Sequence, residues 1–378
     1  MDNGSTSYPK APGVGEAVKD YIENIGVNIN RGGYTEAYDM EETVLDTRLM
    51  LNKLFGYHKP ENVIFTSGVT MSLNILIKGF LKPGDHVITT TMEHNAVMRP
   101  LVQLEKTGVE ISRAACNLDG SLDENNIVSL IKDNTKLVVM LHGSNVCGTI
   151  LPVEKVAHIC KERGIRLIVD CAQTGGLIPF DMEKWGVDAV AFAGHKSLLG
   201  PQGTGGFIIS DDFIKEVDPV ISGGTGSISH LEEVPDFLPD KYECGTMNLP
   251  GITGLNKALK YLEQEGTDNI RKHELNCTKA LIEGFKTIKG IRITGTEDYK
   301  KRTAVVSVDF LYKDNAVIAY ELESKYGIMT RCGLHCAPSA HKTLNTYPEG
   351  TVRFTPGYFT SMEDIEKTIE AVKAVLKE

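Results

Sequence analysis

Arg166-Leu167-Ile168-Val169-Asp170-Cys171-Ala172-Gln173 takes a short apolar run straight into a carboxylate and a turn. An uninterrupted apolar run of this length marks a strand covered on both faces. Before it, residues 137–141 form another such run, and residues 153–163 carry apolar side chains at three- and four-residue spacing. Strand, helix and strand in that order predict a parallel pair with a covering helix. The alternation extends outward: residues 62–65, 86–89, 189–192 and 206–209 read as strands, and residues 71–80 and 123–132 as helices. The expected fold is α/β, a large domain with a mostly parallel sheet whose ligand sits in loops after the strand ends. From residue 256 the pattern changes to a long helical stretch reaching 288, strands at 291–294 and 303–310, and a final helix over 362–376. This predicts a smaller C-terminal α+β domain, residues 256–378 joined by the N-terminal segment 1–13, beside a large domain of residues 14–255.

A chain of 378 residues is long enough for two domains, and 41% hydrophobic with 24% charged residues is a globular composition. Lys and Arg number 40 against 50 Asp and Glu, a net charge of −10 that gives no electrostatic basis for binding nucleic acid or an anionic membrane. No apolar run reaches the ~18 residues of a spanning helix, and Met1-Asp2-Asn3-Gly4-Ser5 lacks the pattern of a leader. Eight cysteines are too sparse for a disulfide scaffold, so a reducing cytoplasm is expected.

Chemistry gathers at the strand ends. Phe192-Ala193-Gly194-His195-Lys196 carries a strand into a tight turn and a glycine-rich stretch ending at Gly206. A desolvated lysine beside a histidine has a lowered pKa and can form a Schiff base with an aldehyde cofactor, although a surface lysine in a glycine loop would look the same. Asp170 can keep a pyridine nitrogen protonated, or merely cap a helix. Carboxylate first and lysine second suits pyridoxal phosphate. Phe65-Thr66-Ser67-Gly68-Val69-Thr70 leads from a strand through a glycine turn into a helix start, where backbone amides favour an anion. His94, in Met92-Glu93-His94-Asn95, can stack on a flat ring and relay protons. Asn145 can bind a ring oxygen or a carboxylate, or serve as a turn residue. Arg331-Cys332-Gly333-Leu334-His335-Cys336-Ala337-Pro338 sets cationic groups beside thiols, which favours the thiolate. A metal site through Cys332, His335 and Cys336 has no second cluster to complete four ligands. Arg353 is suited to bidentate capture of a carboxylate.

Five segments, in one order along essentially the whole chain, resemble the class V, fold-type I pyridoxal-phosphate enzymes, and within them the group II cysteine desulfurases and selenocysteine lyases. They are Thr66-Ser67-Gly68-Val69-Thr70 with Asn74, Glu93-His94-Asn95, Val169-Asp170-Cys171-Ala172-Gln173, Gly194-His195-Lys196, and Arg331 to Ala337. The resemblance implies pyridoxal 5'-phosphate bound covalently at Lys196, with Asp170 on the ring nitrogen, Gln173 on the ring hydroxyl and His94 on the ring face. Val69, Thr70 and His195 would surround the phosphate. Asn145, Arg331 and Arg353 would bind the substrate carboxylate, and Cys336 matches the catalytic cysteine. Glu243-Cys244-Gly245-Thr246 resembles the segment whose threonine reaches the neighbouring subunit's phosphate, which implies a homodimer. The chain departs from the family at Ala193, where serine is usual, at Val69, where threonine is common, and at Cys332, Leu334 and Thr355.

The implied reaction converts L-cysteine to L-alanine and leaves a persulfide on Cys336 for a sulfur-acceptor protein, with Lys196 removing the α-proton and His94 relaying it. A selenocysteine lyase acting on L-selenocysteine would tolerate loss of Cys336. A class V aminotransferase or another carbon–sulfur lyase would use Lys196 and Asp170 and ignore the thiol.

Overall fold

Seven strands, β1 (Val63–Thr66), β2 (His86–Thr90), β3 (Glu110–Ala114), β4 (Thr135–Leu141), β5 (Arg166–Asp170), β6 (Ala189–Ala193) and β7 (Gly205–Ile209), form one sheet in the order β1-β7-β6-β5-β4-β2-β3. The structure is a computed structural model describing residues 1–29, 33–228 and 230–377. Strands β2 to β6 run parallel, and β7 is antiparallel to both its neighbours. Alternate side chains of the central strands enter two cores. Val138, Met140, Leu167, Val169, Val190 and Phe192 pack on one face, and Leu137, Val139, Ile168, Ala189, Ala191 and Phe207 on the other. Burial on both faces is why these strands read as unbroken apolar runs.

Four antiparallel strands, β8 (Ile291–Thr294), β9 (Val306–Phe310), β10 (Arg331–Gly333) and β11 (Thr351–Phe354), make a second sheet in the order β10-β11-β9-β8. Its core joins Val308 and Phe354 to Leu281 and Phe285 of helix Thr267–Lys286 and to Ile365 and Val372 of helix Met362–Lys377. Helix Leu249–Glu265 runs across residue 255 and places Leu255, Ala258 and Leu262 in the larger core.

Several sequence expectations need correction. The long helix to 288 is two helices, interrupted at Gly266, whose φ of 80° is left-handed. The helix expected over 123–132 contains a single α-helical turn, Asn125–Val128; Asp123 accepts the Asn125 amide at 3.0 Å, a local bond that competes with helix continuation. The strand expected from 303 begins at Val306, because the Thr303 amide donates to the Gly148 carbonyl rather than to the sheet. Strand β3 and helices Thr35–Phe55 and Asn95–Glu105 were not expected. No helix among the described residues is long and apolar enough to cross a membrane.

The antiparallel hairpin of β6 and β7 holds the lysine loop, and its glycines let neighbouring backbones come close. A Cβ on Gly206 would stand 2.3 Å from the Ile64 carbonyl oxygen of β1. Gly206→Ala is therefore expected to lower the unfolding free energy by about 1–3 kcal/mol. Urea unfolding of the variant measures this, and an unchanged midpoint would show that β1 and β7 are not so closely apposed.

Candidate active site

Asp170 ends β5 opposite Ala191 of β6, and five residues after that partner the chain reaches Lys196. The Asp170 carboxylate is buried and accepts the Ala172 amide at 2.9 Å. Burial pushes its pKa up, while the Ala172 hydrogen bond and the Lys196 charge pull it back. Burial lowers the Lys196 amine to about 8; Asp170 opposes that shift, Arg353 and Arg331 add to it, and Cys336 again opposes it. One lysine thus feels the aspartate of the large sheet together with two arginines and a thiol of the small one.

His94 caps helix Asn95–Glu105, its Nδ1 accepting the Ala96 amide at 3.0 Å. Burial, then the charges of Lys196, Arg331, Arg353 and Arg99, lower its pKa to about 4. A neutral imidazole that accepts at Nδ1 carries its proton on Nε2.

The Cys336 loop is pinned at its backbone. Asn145 Nδ2 donates to the His335 carbonyl at 2.8 Å, the Asn95 amide donates to the Cys336 carbonyl at 2.8 Å, and Arg331 Nη2 lies 3.4 Å from Cys336 Sγ. His335 and Cys336 both take left-handed conformations, at φ 48° and 60°, each costing about 1–3 kcal/mol in a residue other than glycine. The thiol stays exposed. His335 is instead buried against Thr351 at 3.0 Å, and Cys332 packs on the small core. Among the described residues no cluster of three or more His, Cys, Asp or Glu side chains could hold a metal ion.

The N-terminal segment lies across the site. Ser7 and Lys10 donate to the His195 carbonyl, from the Ser7 amide and Lys10 Nζ both at 3.0 Å, and Gln173 Nε2 donates to the Gly4 carbonyl at 3.0 Å. Arg353 is held by the Asn145 carbonyl and by Asp2 and Ser5. Where a bidentate grip on a substrate is expected of Arg353, its Nη2 here donates to one oxygen of a protein carboxylate and to a hydroxyl. The segment touches both sheets' loops, since Asp2 bridges to Thr355 after β11 and the Ala11 amide donates to Leu199 after β6.

Gly68 precedes helix Val69–Phe80 with open space where a Cβ would stand, and Thr70 beside it is exposed. The His195 Nδ1 and Asn145 Oδ1 atoms are buried without a partner. Thr246 lines a cleft with Ser67 and Met71, and Lys196 is not among the residues lining it.

Sequence reasoning missed Asp2, Ser5 and Glu93. Glu93 is buried; its Oε1 accepts Thr90 Oγ1 at 2.6 Å and the Leu141 amide at 3.1 Å, and Oε2 has no partner. Leu141 is the register partner of Asp170. Glu93 therefore ties the His94 loop to the strand beside Asp170. Its only sequence signal was its place before His94.

The family profile described as Aminotransferase class-V matches residues 1–368. A "Probable cysteine desulfurase" of Methanothermobacter thermautotrophicus is 30% identical over 99% of this chain and 94% of its own length. A "Cysteine desulfurase" of Haloferax volcanii is 30% identical over 99% of this chain and 88% of its own. The solved apo structure of a cysteine desulfurase from Thermococcus onnurineus superposes with a TM-score of 0.91 at 30% identity, covering 100% of this chain and 94% of that one.

Burial raises the Glu93 carboxyl from 4.5 to about 8. Between those values the unfolded chain has lost the proton that the native chain keeps, so stability falls as pH rises. Glu93→Gln keeps an acceptor for Thr90 and Leu141 and removes that dependence. Its stability relative to the unaltered protein is expected to improve steadily from pH 4.5 to 8, read from urea unfolding at a series of pH values. A difference that stays flat with pH would exclude a protonated Glu93.

Proposed function

The chain belongs to the class V aminotransferase family, and on that premise we propose that it is a pyridoxal-phosphate-dependent cysteine desulfurase, converting L-cysteine to L-alanine with the sulfur left on Cys336. The carrying observation is an exposed thiol, 3.4 Å from Arg331, in the same electrostatic cluster as Lys196. Simple transamination needs the lysine but has no use for that thiol.

The residues fit the cofactor. Buried His195 Nδ1 lacks a partner, Gly68 leaves room before a helix N-terminus, and Asp170 supplies a carboxylate beside Lys196. Lys196 would hold the cofactor's aldehyde carbon and Asp170 its ring nitrogen. Thr70, His195 and the first amides of helix Val69–Phe80, beside Val69, would hold the phosphate. Ala193 offers no hydroxyl there. His94 would cover the ring, and Gln173 would take the ring hydroxyl on releasing Gly4. When bound, the cofactor supplies an aldehyde for the substrate amine and a ring that accepts electrons.

Arg353 and Asn145 orient the substrate carboxylate. The Lys196 amine, lowered to about 8, takes the α-proton at Nζ, a role that needs its neutral form. His94, neutral with its proton on Nε2, donates a proton at the substrate's sulfur-bearing carbon or relays one. Arg331 Nη2 stands 3.4 Å from the Cys336 sulfur. Cys336, as thiolate, attacks the substrate sulfur, the carbon–sulfur bond breaks as that sulfur passes to Cys336, the β-carbon takes a proton, and Lys196 returns the α-proton before alanine leaves. The persulfide stands on an exposed side chain, where an acceptor protein can take it.

A homodimer is also inferred, with Thr246 facing the second copy; Met71 and Ile221, 37% and 44% exposed, line the same cleft. The eight free cysteines suit a cytoplasmic setting.

Borohydride reduction followed by peptide mapping is expected to find a pyridoxyl adduct on Lys196, and Lys196→Ala should lose both the visible absorbance and turnover. An adduct elsewhere, or none, sinks the cofactor assignment. Cys336→Ser should cut alanine formation from L-cysteine by about 100-fold or more. Full retention of that activity would refute the nucleophile, and activity kept only on L-selenocysteine would favour a lyase.

A further inference from the structure

Arg353 is 1% exposed. Its Nη1 donates to the Asn145 carbonyl at 3.1 Å, and its Nη2 donates to Asp2 Oδ1 at 2.9 Å and to Ser5 Oγ at 2.8 Å. The Nε is buried without a partner. A guanidinium presents a carboxylate with two forked edges, the end formed by Nη1 and Nη2 and the side formed by Nε and Nη2. Nη2 belongs to both, and both of its hydrogens are taken by the N-terminal segment. The backbone of that segment also covers the group: a Cβ on Gly4 would lie 3.2 Å from Arg353 Cζ. No incoming carboxylate can take either fork until Asp2 or Ser5 lets go.

We propose that Asp2 is a resident carboxylate that holds the place of the substrate's α-carboxylate on Arg353, so that substrate binding is an exchange of one carboxylate for the other. The proposal rests on reading Arg353 as the carboxylate anchor. Across the β10–β11 pair Arg353 faces Arg331, so two cations oppose each other, an arrangement that needs an anion when no substrate is bound. Asp2 supplies it. The Asp2 side chain is 30% exposed, so once displaced its charge can return to water while the buried guanidinium keeps a carboxylate throughout. The segment has other attachments, through Gly4 to Gln173, Ser7 to His195 and the Asp2–Thr355 backbone bridge. Asp2 is not needed merely to staple it down. A resident competitor lowers the apparent affinity of every carboxylate ligand by the fraction of time it occupies the fork.

Titrating the holoenzyme with L-alanine, followed by its visible absorbance, tests this against ethylamine, which has the amine but no carboxylate. Asp2→Asn keeps the size and removes the charge, so L-alanine is expected to bind about three- to tenfold tighter, with ethylamine unmoved. Equal or weaker alanine binding in Asp2→Asn overturns the proposal and makes Asp2 a residue that orients Arg353. Should that variant fail to fold, Ser5→Ala, which frees the other Nη2 hydrogen, carries the same expectation and the same refutation. Arg353→Gln separates the underlying reading: if it leaves alanine affinity unchanged, Arg353 is no anchor, and the exchange falls for that reason instead.

Discussion

Lys196, Arg331 and Arg353 are cations gathered at one site, Arg353 buried and the other two partly so, and a charge out of water is tolerated only beside an opposite charge. Asp170 answers Lys196 from the end of β5, and Asp2 answers Arg353 from the other end of the sequence. Each pair joins elements that are distant in the chain. The charge balance of the site therefore depends on two sheets and the N-terminal segment coming together, and none of these carries it alone. With three cations against two carboxylates and a thiol, the site suits a substrate that brings a carboxylate.

The same surroundings divide the chemistry among residues. Burial lowers both Lys196 and His94, so an amine that can accept a proton stands near an imidazole whose proton is confined to one nitrogen. Cys336 differs from both, with its carbonyl tied down and its sulfur left outside. The left-handed turn at His335 and Cys336 separates a fixed backbone from a projecting side chain. Such strain persists only where surrounding bonds impose it, and Asn145 and Asn95 supply them here.

What the sequence displayed was whatever depends on local pattern. Strands β4, β5 and β6 announce themselves because both faces are buried, and Asp170 and Lys196 stand out at their ends. Strand β3, Glu110-Ile111-Ser112-Arg113-Ala114, was missed because it is a partly exposed edge with polar residues among its few apolar ones. Helix Thr35–Phe55 hid behind an acidic, exposed face. Glu93 looks in sequence like any acid before a helix; only the approach of Leu141 from β4 reveals it as a buried tie. The pairing of Asp2 with Arg353 spans 351 residues, and no spacing rule reaches so far.

Strand alternation at β10 has one more outcome. Arg331 turns toward Cys336, and the next residue, Cys332, turns into the core of the small sheet. Of the two sulfurs of this segment, one packs on a core and the other is exposed. Should peroxide oxidise the exposed one to a sulfenic acid, its neighbour in sequence is badly placed to condense with it. Recovery would fall to a thiol arriving from solution, and the redox fate of the nucleophile is left to whatever small reductants surround the protein.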